Sequence, residues 1–447
     1  MIRKTAIVCL LAAGLNAGAA GQENEAPKGI AHMDHVFVII MENHGYQQIV
    51  GNPDEPYLNG LIANKKVSVA TNYFAIGHPS LTNYLEVVGG SNFGVRSDND
   101  PAWHNKSCTP NIISGAVNAD NFGSNAPANI SLDTGNICPI AGSGTDALTE
   151  AVDNWNEVTP PTFNFLANID GLKSVQPRHV EGISIADQLV RAGLSWKSYQ
   201  ENLPLRGADG VNYSNGAVSN LDFDANGNST LPGIKKSDVV KAYAAKHNPF
   251  VYFRSVQEGW WEKNSLENVV GFDGPRGLYA DLATGDVPSL AFIAPSQCDD
   301  QHGRGNGDAF CAFDPGIPPG SNLTVGTQAA LNPELILQGD VTLERLVKGI
   351  KASSAWREGR NAIVIVWDEN DYSGLAKNGP FPLQNQNNVV LTVETNREGT
   401  GVTSNKFYDS YSLLKSMEAA FGLPCLNRAC DSDVNVMSDL FGGTGQD

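Results

Sequence analysis

The stretch HVFVIIMENHGY, residues 35–46, decides how the rest of the chain is interpreted. Its six consecutive apolar residues, 36–41, are typical of a strand that is buried on both faces of a parallel sheet. Turn residues normally follow such a strand, but here it continues directly into Glu42, Asn43 and His44. Because all three side chains can bind a metal ion or a proton, the stretch predicts a functional site at the carboxyl end of this strand.

Similar apolar runs recur along the chain, with amphipathic helical patterns between several of them. Near-continuous apolar strands that alternate with helices predict an α/β fold, a three-layer α/β/α arrangement around a mostly parallel sheet. Such a sheet places its sites at the carboxyl ends of its strands. The predicted strands are 36–41, 67–76, 250–256, 290–294, 362–367 and 389–393, and the predicted helices are 80–88, 185–192, 341–352 and 411–421.

The composition is that of a globular, acidic protein. Of the 447 residues, 41% are hydrophobic, which is enough to form a substantial core. The formal net charge of −18 repels nucleic-acid backbones and anionic membranes, so we expect neither as a partner unless a cation intervenes. We expect a single catalytic domain over 21–447, with surface insertions near 97–165 and 203–235, because those two stretches are rich in Asn, Asp, Gly and Pro.

The first residues have the pattern of a secretory signal. Residues 1–20 begin with two basic residues, continue with a short apolar run and end in small residues that suit signal peptidase. The competing interpretation is a membrane anchor, but the apolar run, 6–15, is well short of the ~20 residues that a spanning helix needs. We therefore expect a cleaved signal peptide, a secreted or periplasmic location, and no transmembrane segment in the mature chain.

Six cysteines remain after the predicted signal is removed. An even number in an exported chain predicts three disulfides, and the close spacings favour pairing in sequential order. A zinc site is the competing interpretation, but no CxxC pair occurs. The predicted pairs are Cys108 with Cys138, Cys298 with Cys311, and Cys425 with Cys430.

Three further strands also end in side chains with catalytic or metal-binding potential. Together with the first strand they predict a pocket that holds a hard cation and, beside it, a nucleophile. The residues are His78 and Ser80 after the second predicted strand, Asp299, Asp300 and His302 after the fourth, and Asp368, Glu369 and Asp371 after the fifth.

The predicted pocket has the parts that phosphoryl transfer requires. A serine hydroxyl is a poor nucleophile at neutral pH, so Ser80 needs a base or a metal to activate it. Glu42, Asp368 and Glu369 supply hard oxygen ligands that suit Mg, Ca or Mn, although Zn is also compatible. Ser80 lies at a predicted helix start, where backbone N–H groups and the helix dipole favour an anion.

Two amides complete this prediction. Asn43 and Asn83 can donate to the nonbridging oxygens of a phosphoryl group. The parts together suit transfer of a phosphoryl group to Ser80 followed by hydrolysis, with the metal and the donors stabilising the developing charge.

Each residue also has a simpler explanation when it is considered alone. A serine after proline often caps a helix, His78 can hydrogen-bond the local backbone, and the acids at 368–371 can form a turn. Because these residues follow separate strands of one predicted sheet, their coincidence favours a site over several unrelated caps and turns.

Six motifs, in order, resemble those of a known family. They are MENHGYQQIVGN, GHPSLTNYLEVVGGS, DDQHG, GDVTLERLVKGIKASSAWREG, IVIVWDEND and FYDSYSLLKSMEAAFGL, and the resemblance runs from about residue 33 to 424. The family is the phosphoesterase family, which groups secreted bacterial acid phosphatases, fungal acid phosphatases and nonhaemolytic phospholipases C. The resemblance implies an alkaline-phosphatase-like fold, a serine nucleophile and metal-dependent hydrolysis of phosphoesters.

The resemblance also implies roles for individual residues. Ser80 matches the nucleophile of the HPS motif, and His302 is the candidate for protonating the leaving oxygen. The predicted catalytic residues are Ser80, His302, Asp300 and His78; the predicted substrate-binding residues are Asn43, Asn83 and His44; the predicted metal ligands are Glu42, Asn43, Asp368 and Glu369.

One position departs from the family pattern. Many relatives carry a histidine just before the Tyr-Ser of the final helix, whereas this chain has Ser410 there. Loss of that imidazole weakens the case for a second metal, so we expect one divalent metal ion rather than two.

Three functions remain open at this stage. The leading hypothesis is a secreted acid phosphatase that acts on phosphomonoesters, with a small phosphorylated substrate, a lipid headgroup included. A phospholipase C-type phosphodiesterase is the alternative enzyme, and a secreted binding module on an inactive hydrolase scaffold is the alternative outside enzymes.

Overall fold

The computed structural model describes residues 25–77, 80–95, 158–159, 162–163, 180–203, 243–303, 311, 314, 331–370, 387–397 and 401–442. Several predictions fall elsewhere in the chain. The predicted signal peptide, His78, Asp371, the Cys108–Cys138 pair and nearly all of the two predicted insertions lie outside the described residues.

An eight-stranded sheet forms the centre of the described structure. The strands are β1 His35–Met41, β2 Val67–Ala70, β6 Trp196–Gln200, β7 Val269–Gly271, β8 Leu290–Ala294, β9 Asn361–Trp367, β10 Leu391–Thr395 and β11 Thr403–Ser404; the short pairs are β3 Tyr73–Phe74 with β12 Tyr408–Asp409, and β4 Val158–Thr159 with β5 Thr162–Phe163. The strand order of the large sheet is β11-β2-β10-β9-β1-β8-β6-β7, and β10 alone of the eight runs antiparallel to its neighbours. This confirms the prediction of an α/β fold with a mostly parallel sheet.

The register of the central strands determines where the polar residues meet. Strand β1 lies between β8 and β9, and Met41 pairs with Trp367 at its carboxyl end. Both strands therefore end at the same level, and the N–H of Asp368 donates to the carbonyl of Met41 at 3.0 Å. Glu42 and Asp368 consequently leave the sheet side by side.

The helices pack in two groups, as a layer on each side of the sheet requires. The helices are α1 Tyr46–Ile49, α2 Pro56–Ile62, α3 Ser80–Gly89, α4 Ile185–Arg191, α5 Arg254–Gln257, α6 Leu278–Thr284, α7 Pro333–Ala352, α8 Ser354–Arg357 and α9 Ser410–Phe421, with 3₁₀ helices at Ala245–His247, Pro249–Tyr252, Leu266–Asn268 and Asn427–Cys430. In the first group α3 packs against α9 and α4; in the second, α7 packs against α2, α6 and α8.

One predicted strand is wrong. Residues 250–256 form the 3₁₀ helix Pro249–Tyr252 and then α5, while β6 occupies the sheet position next to β8. The apolar part of this run, 250–253, is fully buried, so its sequence lacks the periodicity that separates a strand from a buried helical turn. Pro249 at the first helical position favours the helical outcome, because its missing N–H costs nothing there.

Two of the three predicted disulfides are confirmed. Cys298 is bonded to Cys311 and Cys425 to Cys430. The first of these bonds closes the segment that contains the DDQHG motif, so it restrains the loop after β8. No helix among the described residues has both the length and the apolar composition needed to cross a bilayer.

Candidate active site

Ser80 is at the centre of the polar residues that follow the strands. It is the first residue of α3, and its side chain is buried. The hydroxyl oxygen lies 2.9 Å from Glu42 Oε2 and 3.1 Å from Glu369 Oε1, so it can donate its proton to either carboxylate. The fold thus brings together residues that are 38 and 289 positions apart.

The three predicted acidic ligands form one buried cluster. Glu42 leaves β1, while Asp368 and Glu369 leave β9, and each side chain is at most 6% exposed. The N–H of Glu369 donates to Asp368 Oδ1 at 2.7 Å. The pKa of Asp368 is raised well above its ordinary value, first by burial and then by the negative charges of Glu42 and Glu369.

Lys246 and His247 supply the opposing positive charge. Both come from the 3₁₀ helix that precedes Pro249, and both are at most 2% exposed. Lys246 Nζ lies 3.5 Å from Ser80 Oγ and 3.0 Å from His302 Nε2. Neither residue was predicted from the sequence. A lysine and a histidine beside an apolar run are usually solvated, so only the folded structure shows that this pair is buried.

His247 lies between two carboxylates. Its Nε2 is 3.0 Å from Glu42 Oε1 and its Nδ1 is 3.2 Å from Asp300 Oδ2. Burial lowers the pKa of His247, but the charges of Glu42 and Asp300 outweigh burial and raise it to about 9. His247 is therefore an imidazolium at neutral pH and links the strand ends of β1 and β8.

The net pKa shifts of the two acids have opposite directions, although His247 lowers the pKa of both. Burial raises the pKa of Glu42, but His247, Lys246 and His302 together hold it well below its ordinary value. Burial raises the pKa of Asp300 to about 6, and the neighbouring Glu42 adds to this, while His247 offsets part of it. Glu42 is thus the carboxylate that keeps its negative charge over the whole physiological range.

The loop after β8 holds Asp300 and His302 in a fixed relation. The N–H of His302 donates to Asp300 Oδ1 at 2.8 Å, and the N–H of Glu42 donates to the carbonyl of Asp300 at 2.8 Å. His302 Nδ1 lies 2.9 Å from the carbonyl of Gly303, so Nδ1 carries a proton, and Nε2 faces Lys246.

Asn83 and Tyr84, in the first turn of α3, contact the same cluster. Asn83 Nδ2 donates to Glu369 Oε2 at 3.0 Å, and Asn83 Oδ1 accepts the N–H of Gly77 at 3.0 Å. The ring of Tyr84 stacks on that of His247, with centroids 5.4 Å apart and planes 6° apart. Asn83 therefore orients an acid in this structure; its predicted contact with substrate stays a prediction.

The other predicted binding residues lie beside the cluster. His44 is buried and pairs through Nε2 with Asp314, and its Nδ1 is 3.1 Å from the carbonyl of Glu42. Asn43 directly follows Glu42 and is half-buried. The roles predicted for both residues stay predictions, as does the role of His78, which lies outside the described residues.

The carboxylate oxygens around Ser80 are chemically suited to bind a divalent cation. Asp368 Oδ2 is a buried oxygen with no hydrogen-bond donor among the described residues, and Glu42 Oε1 and Asp300 Oδ2 have only the ion pairs with His247 there; a hard cation would satisfy such oxygens. Within the same described ranges, no three His, Cys, Asp or Glu side chains are arranged as a complete metal site.

Comparison with known proteins shows the family. Residues 54–311, more than half of the chain, match the phosphoesterase family. The chain therefore belongs to the phosphoesterase family. The matched range includes Ser80, Lys246, His247, Asp300 and His302, whereas Glu42, Asp368 and Glu369 lie outside it.

The individual relatives are distant. The chain is similar to an acid phosphatase of Aspergillus fumigatus, with 23% identity over 94% of this chain and 61% of the relative. It is 24% identical to a probable acid phosphatase of Kluyveromyces lactis, over 91% of this chain and 62% of the relative. The chain thus spans about three fifths of these two fungal proteins.

Two further similarities cover other kinds of protein. A phosphatidylinositol-3-phosphatase of Mycobacterium tuberculosis is 23% identical over 98% of this chain and 94% of the relative. Among solved structures, a protein of the alkaline phosphatase superfamily from Vibrio parahaemolyticus is similar with a TM-score of 0.44 and 11% identity, over 93% of this chain and 72% of that one.

Proposed function

We propose that this chain is an exported, metal-dependent acid phosphatase that hydrolyses phosphomonoesters through a phosphoserine at Ser80. The observation that carries the proposal is the position of the Ser80 hydroxyl, which is buried, lies at a helix N-terminus, and is within 3.1 Å of two carboxylates and 3.5 Å of the Lys246 ammonium. A serine that only caps a helix does not need three charged groups around its hydroxyl.

The residues around Ser80 have separate roles in the proposed reaction. Ser80 Oγ attacks phosphorus, and its proton passes to Glu42 or Glu369, which are in hydrogen-bond contact with it. Lys246 and the first N–H groups of α3 stabilise the negative charge that develops on the phosphoryl oxygens. Their positions are fixed before substrate binds, so little reorganisation is needed.

The departing oxygen needs a proton when the ester bond breaks. We assign this step to His302: its Nε2, which accepts from the Lys246 ammonium at 3.0 Å, would take up a proton from that group and pass it to the departing oxygen. A water molecule then attacks the phosphorus of the phosphoserine and the bond between phosphorus and Ser80 Oγ breaks. The carboxyl group that took the serine proton returns it to Oγ, and inorganic phosphate is released.

A divalent cation fits the acidic side of this pocket. Glu42, Asp368 and Glu369 would hold it, since they are buried hard-oxygen ligands and Asp368 Oδ2 has no hydrogen-bond donor among the described residues. Bound there, the metal would supply Lewis-acid stabilisation of charge on oxygen. It would also offset the repulsion that raises the pKa of Asp368.

Export and the monoester preference rest on separate observations. The two disulfides support an oxidising compartment, because such bonds are rare in reducing cytosol. Relatives named as acid phosphatases and as a phosphatidylinositol-3-phosphatase support cleavage of phosphomonoesters. The substrate itself would be a small phosphate ester or a phosphorylated lipid headgroup.

The decisive experiment compares wild type with Ser80→Ala. Wild type should hydrolyse p-nitrophenyl phosphate, form an acid-stable phosphoenzyme in rapid-quench samples and lose activity with a chelator; Ser80→Ala should lose turnover and the trapped phosphoenzyme. Ser353→Ala is the matched control, since Ser353 is a buried serine at the N-terminus of α8 and is not part of the site. Ser80→Ala with wild-type turnover would contradict the mechanism.

The same preparation separates the alternatives. Turnover of p-nitrophenyl phosphorylcholine in preference to the monoester would indicate a phosphodiesterase of the phospholipase C type. Absence of turnover on both esters, with the metal present, would indicate a binding module on an inactive scaffold.

A further inference from the structure

The backbone of Gln301 adopts an unusual conformation between two predicted catalytic residues. It lies between Asp300 and His302, and its φ of +81° is in the left-handed region, which a residue with a side chain seldom adopts. This conformation lets the residues on either side turn towards the site. Their own contacts show the result, because the N–H of His302 donates back to Asp300 Oδ1 at 2.8 Å.

The side chain of Gln301 points away from the site and is fully buried. Its Nε2 donates to Glu55 Oε1 and to the carbonyl of Ile336, the latter at 3.0 Å. Its Oε1 accepts the indole N–H of Trp367 at 3.0 Å. One amide group thus connects the loop after β8 to the start of α2, to α7 and to the end of β9.

The contact with Trp367 joins the two halves of the active site. Trp367 is the last residue of β9 and directly precedes Asp368 and Glu369, while Gln301 is flanked by Asp300 and His302. The distance between the two strand ends is therefore held by a side-chain hydrogen bond, in addition to the sheet.

Gly339 on α7 provides the space for this connection. A Cβ at this position would lie 2.8 Å from Gln301 Nε2 and 2.9 Å from its Cδ, and closer still to its Cγ. Glycine in the middle of a helix is unfavourable. Since Gln301 is held by three partners, it cannot move aside at little cost, which explains why glycine is present.

We propose that Gln301 is a positioning residue, which holds the Asp300–His302 pair at the correct distance from the Asp368–Glu369 pair across Ser80. The inference rests on the proposed function, because the distance matters only if those residues act on one substrate. A displacement of catalytic groups by about 1 Å can cost roughly 100-fold in rate.

The test uses two glycines of the same helix. Gly339→Ala should lower kcat by roughly 10- to 100-fold while KM changes by less than about threefold, because the displaced groups act mainly in the transition state. Gly349→Ala is the matched control, since its added Cβ meets only Leu282 at 3.7 Å, an ordinary contact. Both substitutions improve helix propensity equally, so only the clash with Gln301 distinguishes them.

The outcomes distinguish the positioning role of Gln301 from the proposed phosphatase function. A Gly339→Ala enzyme with the kcat of wild type, or an equal loss in Gly349→Ala, would overturn the positioning role. Ser80→Ala, measured in parallel, tests the proposed function itself. If Ser80→Ala keeps wild-type turnover, the phosphoserine mechanism is wrong, but the kcat values of the two glycine variants still test the positioning role in the reaction that is measured.

A second pair of variants decides the matter if Gly339→Ala does not fold. Gln301→Met keeps the side-chain length without hydrogen bonds, and Trp367→Phe removes the indole N–H. Each should lower kcat. The fold-loss of kcat in the double variant should be smaller than the product of the two single fold-losses, because both substitutions remove the hydrogen bond between residues 301 and 367.

Gln257→Met is the control for loss of a buried amide, since Gln257 is a buried glutamine that donates to the Val251 carbonyl. Fold-losses at 301 and 367 that simply multiply in the double variant would refute the positioning role.

Discussion

The two ends of the central sheet carry similar charge pairs in different surroundings. At the carboxyl end, Lys246 faces Glu42 and its neighbours with 1% of its surface exposed. At the opposite end, Lys351 pairs with Glu394 at 2.6 Å, but these side chains are 35% and 10% exposed and border a surface cavity of about 610 Å³.

The difference in exposure changes what the charges can do. Exposed pairs are screened by water and contribute little to stability, whereas buried charges keep their full effect on each other and are costly unless they are paired. A folded chain that retains a buried lysine beside a serine and several acids therefore indicates a catalytic use more strongly than a surface pair of the same composition does.

The largest expected effect comes from removing the buried charge. Lys246→Met should lower kcat on p-nitrophenyl phosphate by about 100- to 1000-fold, the usual cost of losing one donor to a developing oxyanion. Lys351→Met, which removes the same functional group at the other end of the sheet, should leave kcat within about twofold of wild type. Equal effects of the two substitutions on kcat would show that burial does not distinguish the two charges.

Asp409 lies in a third environment, which can be compared with the buried and the exposed charge pairs. Asp409 caps the N-terminus of α9, where its carboxylate accepts the N–H of Ser412 at 2.8 Å. Burial raises its pKa to about 6; the bonds from Ser412 lower it in part, and the charge of Asp433 raises it further. The net shift of its pKa is therefore upward, whereas three neighbouring cations make the net shift of Glu42 downward.

The raised pKa of Asp409 gives a pH dependence with a defined sign. Its pKa rises from 3.8 in the unfolded chain to about 6 in the folded one, so the folded state binds the proton more tightly. Stability from this group is present below about pH 4 and is lost as pH rises to about 6. At ~1.4 kcal/mol per pKa unit, the loss is at most about 3 kcal/mol.

Asp409→Asn should remove this dependence, because asparagine caps helices equally well and does not ionise. The free energy of unfolding of the variant should exceed that of wild type by up to about 3 kcal/mol at pH 7 and equal it at pH 4. Urea unfolding of both proteins at the two pH values measures the difference. A difference that is the same at pH 4 and pH 7 would contradict the raised pKa.

The sequence predicted the strands that carry the acids but not the groups that oppose them. Strands β1 and β9 are continuous apolar runs with polar residues at their ends, so their pattern determines both the strand and the position of Glu42 and Asp368. Lys246 and His247 lie in a single 3₁₀ turn beside a run that was predicted as a strand. A charged pair at the edge of such a run is usually solvated, so the sequence gives no reason to place it in the interior.

Gln301 and Gly339 illustrate a second limit. Within the DDQHG motif every residue is polar or small, and nothing in the pattern says that the third side chain turns into the core while its neighbours face the site. That direction follows from a backbone angle and from partners more than 30 residues away, which are properties of the folded chain.

The smallest expected effect tests the exposed pair by stability. Lys351→Met should change the free energy of unfolding by no more than about 1 kcal/mol, because solvent already screens this ion pair and the methionine keeps most of the apolar stem. The change should shrink further in 0.5 M salt, which is expected for surface charges and not for a buried pair. Urea unfolding at low and high salt measures both quantities. A loss of several kcal/mol that is independent of salt would mean that the two ends of the sheet are electrostatically alike, and burial would then no longer explain why only one of them is proposed to be catalytic.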